Sequence, residues 1–202
     1  MASYDIAYKI TAKKEGGWVI DNGGWTYLGM SIKGHPNWDG WKDIKAFIAK
    51  NGFLRTNTFF PEPLHTKLKL SVYNYYKKFY WDNIYGDKIV IQEIANFCYD
   101  FALNSGSGIL LMNRAVGARP TVRNFNEDTL KVINERPAFA YQAIYKARKD
   151  LYTYLTTSPK LKAANAKWKD GWFARLDSFP KNIDYLIKQP QAPLFFSPFW
   201  SV

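Results

Sequence analysis

"KKEGGWVIDNGGWTYLGMS", Lys13 to Ser31, sets two carboxylates, Glu15 and Asp21, among two Gly-Gly pairs, two tryptophans and a threonine. Just before and into it, residues 4 to 15 ("YDIAYKITAKKE") put Ile6 and Ile10 one helical turn apart with Ala7 and Ala12 near the same stripe. That spacing predicts a helix, and Gly16-Gly17 predicts its stop. Beyond the stop, β-forming residues flank Asn22-Gly23-Gly24, a strong short-range signal for a hairpin. The stretch therefore reads as helix, sharp stop and hairpin, with Glu15 in the helix's last turn.

Outward from there the chain reads as helical. "DGWKDIKAFIAKNG" offers Asp39 as an N-cap and Gly52 as a stop, and "LHTKLKLSVYNYYKKFYWDNI" is long and amphipathic with a basic face. "KIVIQEIANFCYDFALNSGSGILLMNRAVG" is apolar at helical spacing on both sides of Ser105 to Gly108, which predicts two helices meeting at a tight joint. A short helix is predicted from about Glu127 with Asn126 as its cap, then one over residues 138 to 157. One or two more follow, divided near Gly171 or Pro180, and the Pro-rich tail "PQAPLFFSPFWSV" reads as an extended strap. The class is mainly α, a helical bundle with one small N-terminal β-hairpin.

Composition narrows the partners. The 202 residues are 47% hydrophobic, 18% aromatic and 22% charged, which excludes a disordered chain and leaves aromatics for the surface. A net charge of +11 points to a polyanion: nucleic acid, an anionic membrane face or an anionic wall polymer. Cys98 is the only cysteine, so no internal disulfide or thiolate metal cluster is possible, and it reads as a small buried apolar residue. With only His35 and His65 in separate segments, neither a metal site nor a Ser-His-Asp triad is supported. No apolar run is long enough to span a membrane, and the start "MASYDIAYKI" shows no signal-peptide pattern. The expectation is synthesis in the cytoplasm, with a holin, an export system or lysis giving access to the wall.

Glu15 carries the chemistry. A carboxylate in the last turn of a helix faces the negative end of the backbone dipole, which favours its protonated form. Trp18 and Trp25 would desolvate it further, and a protonated carboxylic acid is what breaking a glycosidic bond requires. Asp21 and Thr26 on the hairpin are placed to hold a water at the opposite face of a sugar ring. Each also has a plainer role: Glu-Gly-Gly as a helix terminus, Asp21 as a turn residue, Thr26 as a β-former.

Glu15-Gly16-Gly17-Trp18-Val19, Asp21 and Gly23-Gly24-x-Thr26-x-x-Gly29 together resemble the N-terminal signature of glycoside hydrolase family 108. Its members are phage-type and secretion-associated N-acetylmuramidases, some of them secretion activator proteins. "YKKFYWDNI" (Tyr76 to Ile84) resembles the family's tyrosine-tryptophan segment, and "DFALNSGSGILLMNRAVG" (Asp100 to Gly117) its Asp-x-x-x-Asn-x-Gly helix. "KDGWFARLDSF" (Lys169 to Phe179) is similar to the ending of the associated predicted peptidoglycan-binding region. The resemblance implies an α+β lysozyme-like fold without metal or cofactor, cleaving the β-1,4 bond between N-acetylmuramic acid and N-acetylglucosamine in peptidoglycan glycan strands, with Glu15 as the acid. It divides the chain into a catalytic region, 1–117, and a C-terminal region, 118–202, packed into one globular unit. The family's longer Asp-Pro-x-Asp-Pro-Gly-Gly turn is shortened here, so any second-carboxylate role falls on Asp21. The Asp-Gly pair often found in the C-terminal region is absent from "ARPTVRNFNEDTL".

Tyr99, Asp100 and Asn104 complete the expected site. The last two lie four apart on one helix, facing the cleft or serving as caps and inter-helix hydrogen bonds. Lys67, Lys69, Lys77 and Lys78 read as a solvated helix face or as a hold on an anionic wall. Against the hydrolase reading stand a non-catalytic wall-binding, secretion or phage-assembly protein of the same fold, and a nucleic-acid binder. The last has only charge and aromatic content behind it, so no nucleic-acid partner is expected.

Overall fold

The computed structural model describes residues 1–12, 16–21 and 24–187, with Asp21 represented by its backbone alone. Helix α1 covers Tyr4–Ala12. Strands β1 (Val19–Asp21), β2 (Gly24–Tyr27) and β3 (Met30–Ser31) follow as an antiparallel sheet in the order β1-β2-β3. The hairpin is thus extended by a third, two-residue strand that the sequence pattern did not announce. Leu28 at φ 49° and Gly29 at φ 78° make the left-handed turn that admits it.

The remaining described chain is helical. Helix α2 (Gly40–Asn51) ends at Gly52, whose φ of 77° suits a residue without a Cβ and whose N–H bonds the Ile48 carbonyl. At its other end Asp39 makes no side-chain cap and pairs instead with Lys42. Helix α3 (Leu64–Tyr76) runs into a π turn, Lys77–Trp81, and a 3-10 turn, Asp82–Ile84. Helices α4 (Gln92–Asn104) and α5 (Gly108–Ala115) meet at the expected joint. Asn126 caps α6 (Glu127–Glu135) by accepting the Thr129 N–H, as its position implied. Helix α7 (Pro137–Thr157) is the longest, with proline at its first position. Short helices α8 (Lys162–Asn165), α9 (Lys169–Asp177) and α10 (Asp184–Ile187) close the described chain, and the break falls at Pro180 while Gly171 stays inside α9. The expected strap lies outside the described residues.

Helix α1 buries a different face from the one its isoleucines suggested. Tyr4, Ala7 and Thr11 face inward, while Ile6 and Ile10 are 48% and 38% exposed. Aromatic packing sets that rotation: the Tyr4 ring lies 4.7 Å from Tyr73, 5.6 Å from Trp81 and 5.7 Å from Tyr99. A tyrosine buries more area than an isoleucine and here also donates its hydroxyl hydrogen to the Tyr73 carbonyl, so the aromatic face wins. Cys98 is fully buried, as expected, and burial pushes its thiol pKa up.

Asp100 on α4 ties the C-terminal helices to this core. Arg175 of α9 donates from Nε and Nη2 to its carboxylate at 2.6–3.0 Å, and Arg148 of α7 donates from Nη2 at 2.6 Å. Arg148 is fully buried, and its surplus charge sits over the rings of Phe97, Phe101, Tyr152 and Phe179 at 5.2–5.8 Å. Burial alone would raise the Asp100 pKa, but the hydrogen bonds and charges of the two arginines reverse that and hold it below the ordinary carboxylate range. Because the folded pKa is depressed, this contribution to stability is complete above about pH 4 and is lost as pH falls through the folded value. Asp100→Asn removes the counter-charge from the buried Arg148 and weakens the hold on Arg175, and is expected to cost about 3–5 kcal/mol in urea denaturation at pH 7. The same variant should lose part of the wild-type chain's stability decline on acidification below about pH 4.

Candidate active site

The site is built where α1 gives way to the sheet. Lys13, Lys14 and Glu15 lie outside the described residues, and the chain resumes at Gly16, whose carbonyl accepts the Leu28 N–H at 3.2 Å. Gly17 passes so close to the loop ahead of α3 that a Cβ would meet the Thr58 carbonyl oxygen at 2.4 Å. Trp18 then exchanges backbone bonds with that loop: its N–H donates to Thr58 and its carbonyl accepts from Asn57, both at 2.7 Å. Gly17 is therefore a contact glycine. Gly16, with nothing within 4 Å of its missing Cβ, borders open space.

The sheet register organises the hairpin residues. Val19 pairs with Thr26, Ile20 with Trp25, Asp21 with Gly24, and Thr26 with Ser31. Opposed residues share a face and alternate residues return to it, so strand positions 19, 21, 26 and 31 lie on one side. Thr26 is half-buried there.

The two tryptophans separate in role. Trp18 is fully buried, 5.6 Å from Trp25 and from Phe60. It supports Trp25, which packs edge-on against Phe53 at 5.9 Å and keeps part of its surface exposed. Of the two tryptophans expected beside Glu15, only Trp25 keeps part of its surface open to solvent.

Tyr99, Asp100 and Asn104 do not join the hairpin residues. Tyr99 is fully buried between Tyr4 and Trp81, and Asp100 is bound by the two arginines instead of facing a cleft. Asn104 donates to the Asp100 carbonyl one turn back, finishing α4. Asp100 still reaches the site indirectly, since the Thr11 hydroxyl lies 3.4 Å from its Oδ1 in the last described turn of α1.

A cavity of about 90 Å³ opens beside this end of α1, between Tyr8, Thr11, Ala12, Leu28, Lys69 and Tyr76. Tyr8 and Tyr76 were not anticipated from sequence, although Lys69 and Tyr76, seven apart on α3, had the spacing of one helix face. Among the described residues no cluster of His, Cys, Asp and Glu has the makings of a metal site.

Together these features define a mainly α, lysozyme-like fold with a small antiparallel sheet following the first helix. Residues 8–106, just under half of the chain, match the family model for glycosyl hydrolase 108. The match includes Glu15, the hairpin and α4, and stops short of the C-terminal helices. A solved structure of SagA from Brucella abortus is similar over 87% of this chain and 90% of that one, with a TM-score of 0.57 and 19% sequence identity. At that identity the likeness speaks for the fold. No curated protein matches the chain.

The two adjacent glycines make a sharp comparison. Gly17→Ala forces the Thr58 loop to move and is expected to lower stability by about 1–3 kcal/mol. Gly16→Ala meets open space and should change stability by less than about 1 kcal/mol. Paired thermal or urea melts of the two variants check this.

Proposed function

We propose that this chain is a peptidoglycan hydrolase that cleaves the β-1,4 bond between N-acetylmuramic acid and N-acetylglucosamine, with Glu15 as general acid. The carrying observation is the fixed backbone on either side of the glycine pair: Gly16 bonded to Leu28 and Gly17 wedged on Thr58. That anchoring fixes the residue after Glu15 against the sheet, inside the stretch matched to the glycosyl hydrolase family.

The chemistry follows from the surroundings. The carboxyl-terminal end of α1 carries partial negative charge, which opposes ionisation of a carboxyl group close beyond it. A proton retained near neutral pH is delivered to the glycosidic oxygen as the bond breaks. Trp25 offers a partly exposed ring to stack on a sugar face, and open space beside Gly16 leaves room for a bulky polymer. The net charge of +11 holds the protein near an anionic wall.

Glu15→Gln keeps the shape of the side chain but has no proton to give. Wall-turbidity assays are expected to show a loss of about 10²-fold or more, with an unchanged melting temperature. Residual lysis above about a tenth of the wild-type rate would remove Glu15 from the acid role.

For the second half of the reaction we assign a water held by Asp21 and Thr26, which share one side of the hairpin by register. A water between two carboxyl groups about 6.5–9.5 Å apart gives inversion, whereas direct attack by a carboxylate needs about 5–5.5 Å. Mass spectrometry and NMR of freshly digested glycan should show hydrated reducing ends of inverted configuration. Products lighter by one water would mean attack by the sugar's own 6-hydroxyl, and full activity in Asp21→Ala would exclude the aspartate.

A further inference from the structure

Besides the cavity at the end of α1 there are two larger clefts. One, of about 430 Å³, runs from Gly34 and His35 to the joint after α4 at Ser105 and Gly106. The other, of about 570 Å³, lies between the start of α2 and the outward side of α3. Tyr75 and Phe79 line both, so the clefts form one groove with an aromatic ridge at its middle.

The ridge is a product of the π turn. Inserting one extra residue per turn lets Trp81 be fully buried with its Nε1 donating to Asp87 at 2.8 Å, while Phe79 stays 43% exposed. The Tyr75 and Phe79 rings lie 4.4 Å apart. Such a turn costs regular hydrogen bonding and is found disproportionately at functional sites. Beside the ridge His35 packs edge-on against Tyr75 at 5.6 Å and is held by a 2.8 Å hydrogen bond between its Nε2 and the Tyr80 hydroxyl. Burial lowers its pKa, so this wall is uncharged near pH 7.

The charge of the groove is one-sided. It contains Lys67, Lys78 and Arg123 against a single carboxylate, Asp39, which is paired with Lys42. Lys67 is engaged by Asp43, but Lys78 and Arg123 have no ion-pair partner among the described residues. An exposed aromatic ridge flanked by unneutralised cations and by Asn and Ser side chains matches a polymer of apolar-faced rings carrying carboxylates and hydroxyls.

We propose that the Tyr75–Phe79 groove is a second binding surface for carboxylate-bearing peptidoglycan glycan, separate from the cleavage site. Phe79 stacks on a sugar ring, and Lys78 and Arg123 take the carboxylates. This rests on the reading of the chain as a peptidoglycan hydrolase, and it assigns the groove a task the cleavage chemistry does not need.

The test is a titration of the isotopically labelled Glu15→Gln chain, followed through the amide NMR signals of Gly34 and Gly106. The probes are a peptide-free tetrasaccharide of alternating N-acetylglucosamine and N-acetylmuramic acid, and neutral chitotetraose. The acidic sugar is expected to shift both signals saturably and to bind more tightly than chitotetraose, with the difference closing in 0.5 M salt, where the Debye length is only about 4 Å. Phe79→Ala should weaken binding about fivefold or more, and Lys78→Ser with Arg123→Ser should remove the preference for the acidic sugar. Unmoved signals at saturating tetrasaccharide, or unchanged affinity in Phe79→Ala, would overturn the proposal. Shifts seen only with an oligonucleotide or a glycerol-phosphate polymer would overturn it equally. Cleavage of the same tetrasaccharide by the wild-type chain, read by mass spectrometry, reports on the hydrolase reading independently.

Discussion

A buried carboxylate cannot stay ionised in an apolar core without counter-charge, and Asp100 meets that constraint with two arginines from distant helices. The cost of desolvating three charges is recovered only when the geometry is close, as it is for the hydrogen bonds from Arg148 and Arg175. Helices α4, α7 and α9 are thereby committed to one relative placement. The aromatic rings around Arg148, from Phe97 to Phe179, then pack about its guanidinium. What resemblance suggested as the end of a wall-binding region supplies, through Arg175, part of this cluster at the centre of the molecule.

From that anchor the route to the site is short. Thr11 touches Asp100 in the last described turn of α1, and the chain re-emerges at Gly16 already bonded to the sheet. The second glycine of the pair presses directly on the Thr58 backbone. The described residues that flank positions 13–15 are thus bonded to separate parts of the fold, Thr11 to Asp100 and Gly16 to Leu28. The Trp18, Trp25, Phe53 and Phe60 rings provide a stiff backing to the hairpin, with Trp25 left partly open to solvent.

Much of this was legible in the residues. The Asn126 cap, the Gly52 stop, the joint between α4 and α5 and the hairpin register around residues 21 to 24 all follow from signals that act within a few positions. The glycine pair beside Glu15 was legible as a stop, though not as a close backbone contact, because Thr58 is some forty residues further on. The third strand was too short to carry an alternating pattern, and the π turn leaves no distinct trace in apolar spacing.

What the sequence by itself determined is the order and kind of the elements. What only the tertiary structure decided is which faces those elements bury. Ile6 and Ile10 yield the inside of α1 to Tyr4, and Asp100 turns from a cleft residue into the centre of an ion cluster. The physical reason is separation along the chain. Helix and turn signals act over a few positions, whereas the partners of Asp100 lie 48 and 75 residues away, and which charge meets which is settled when the helices pack.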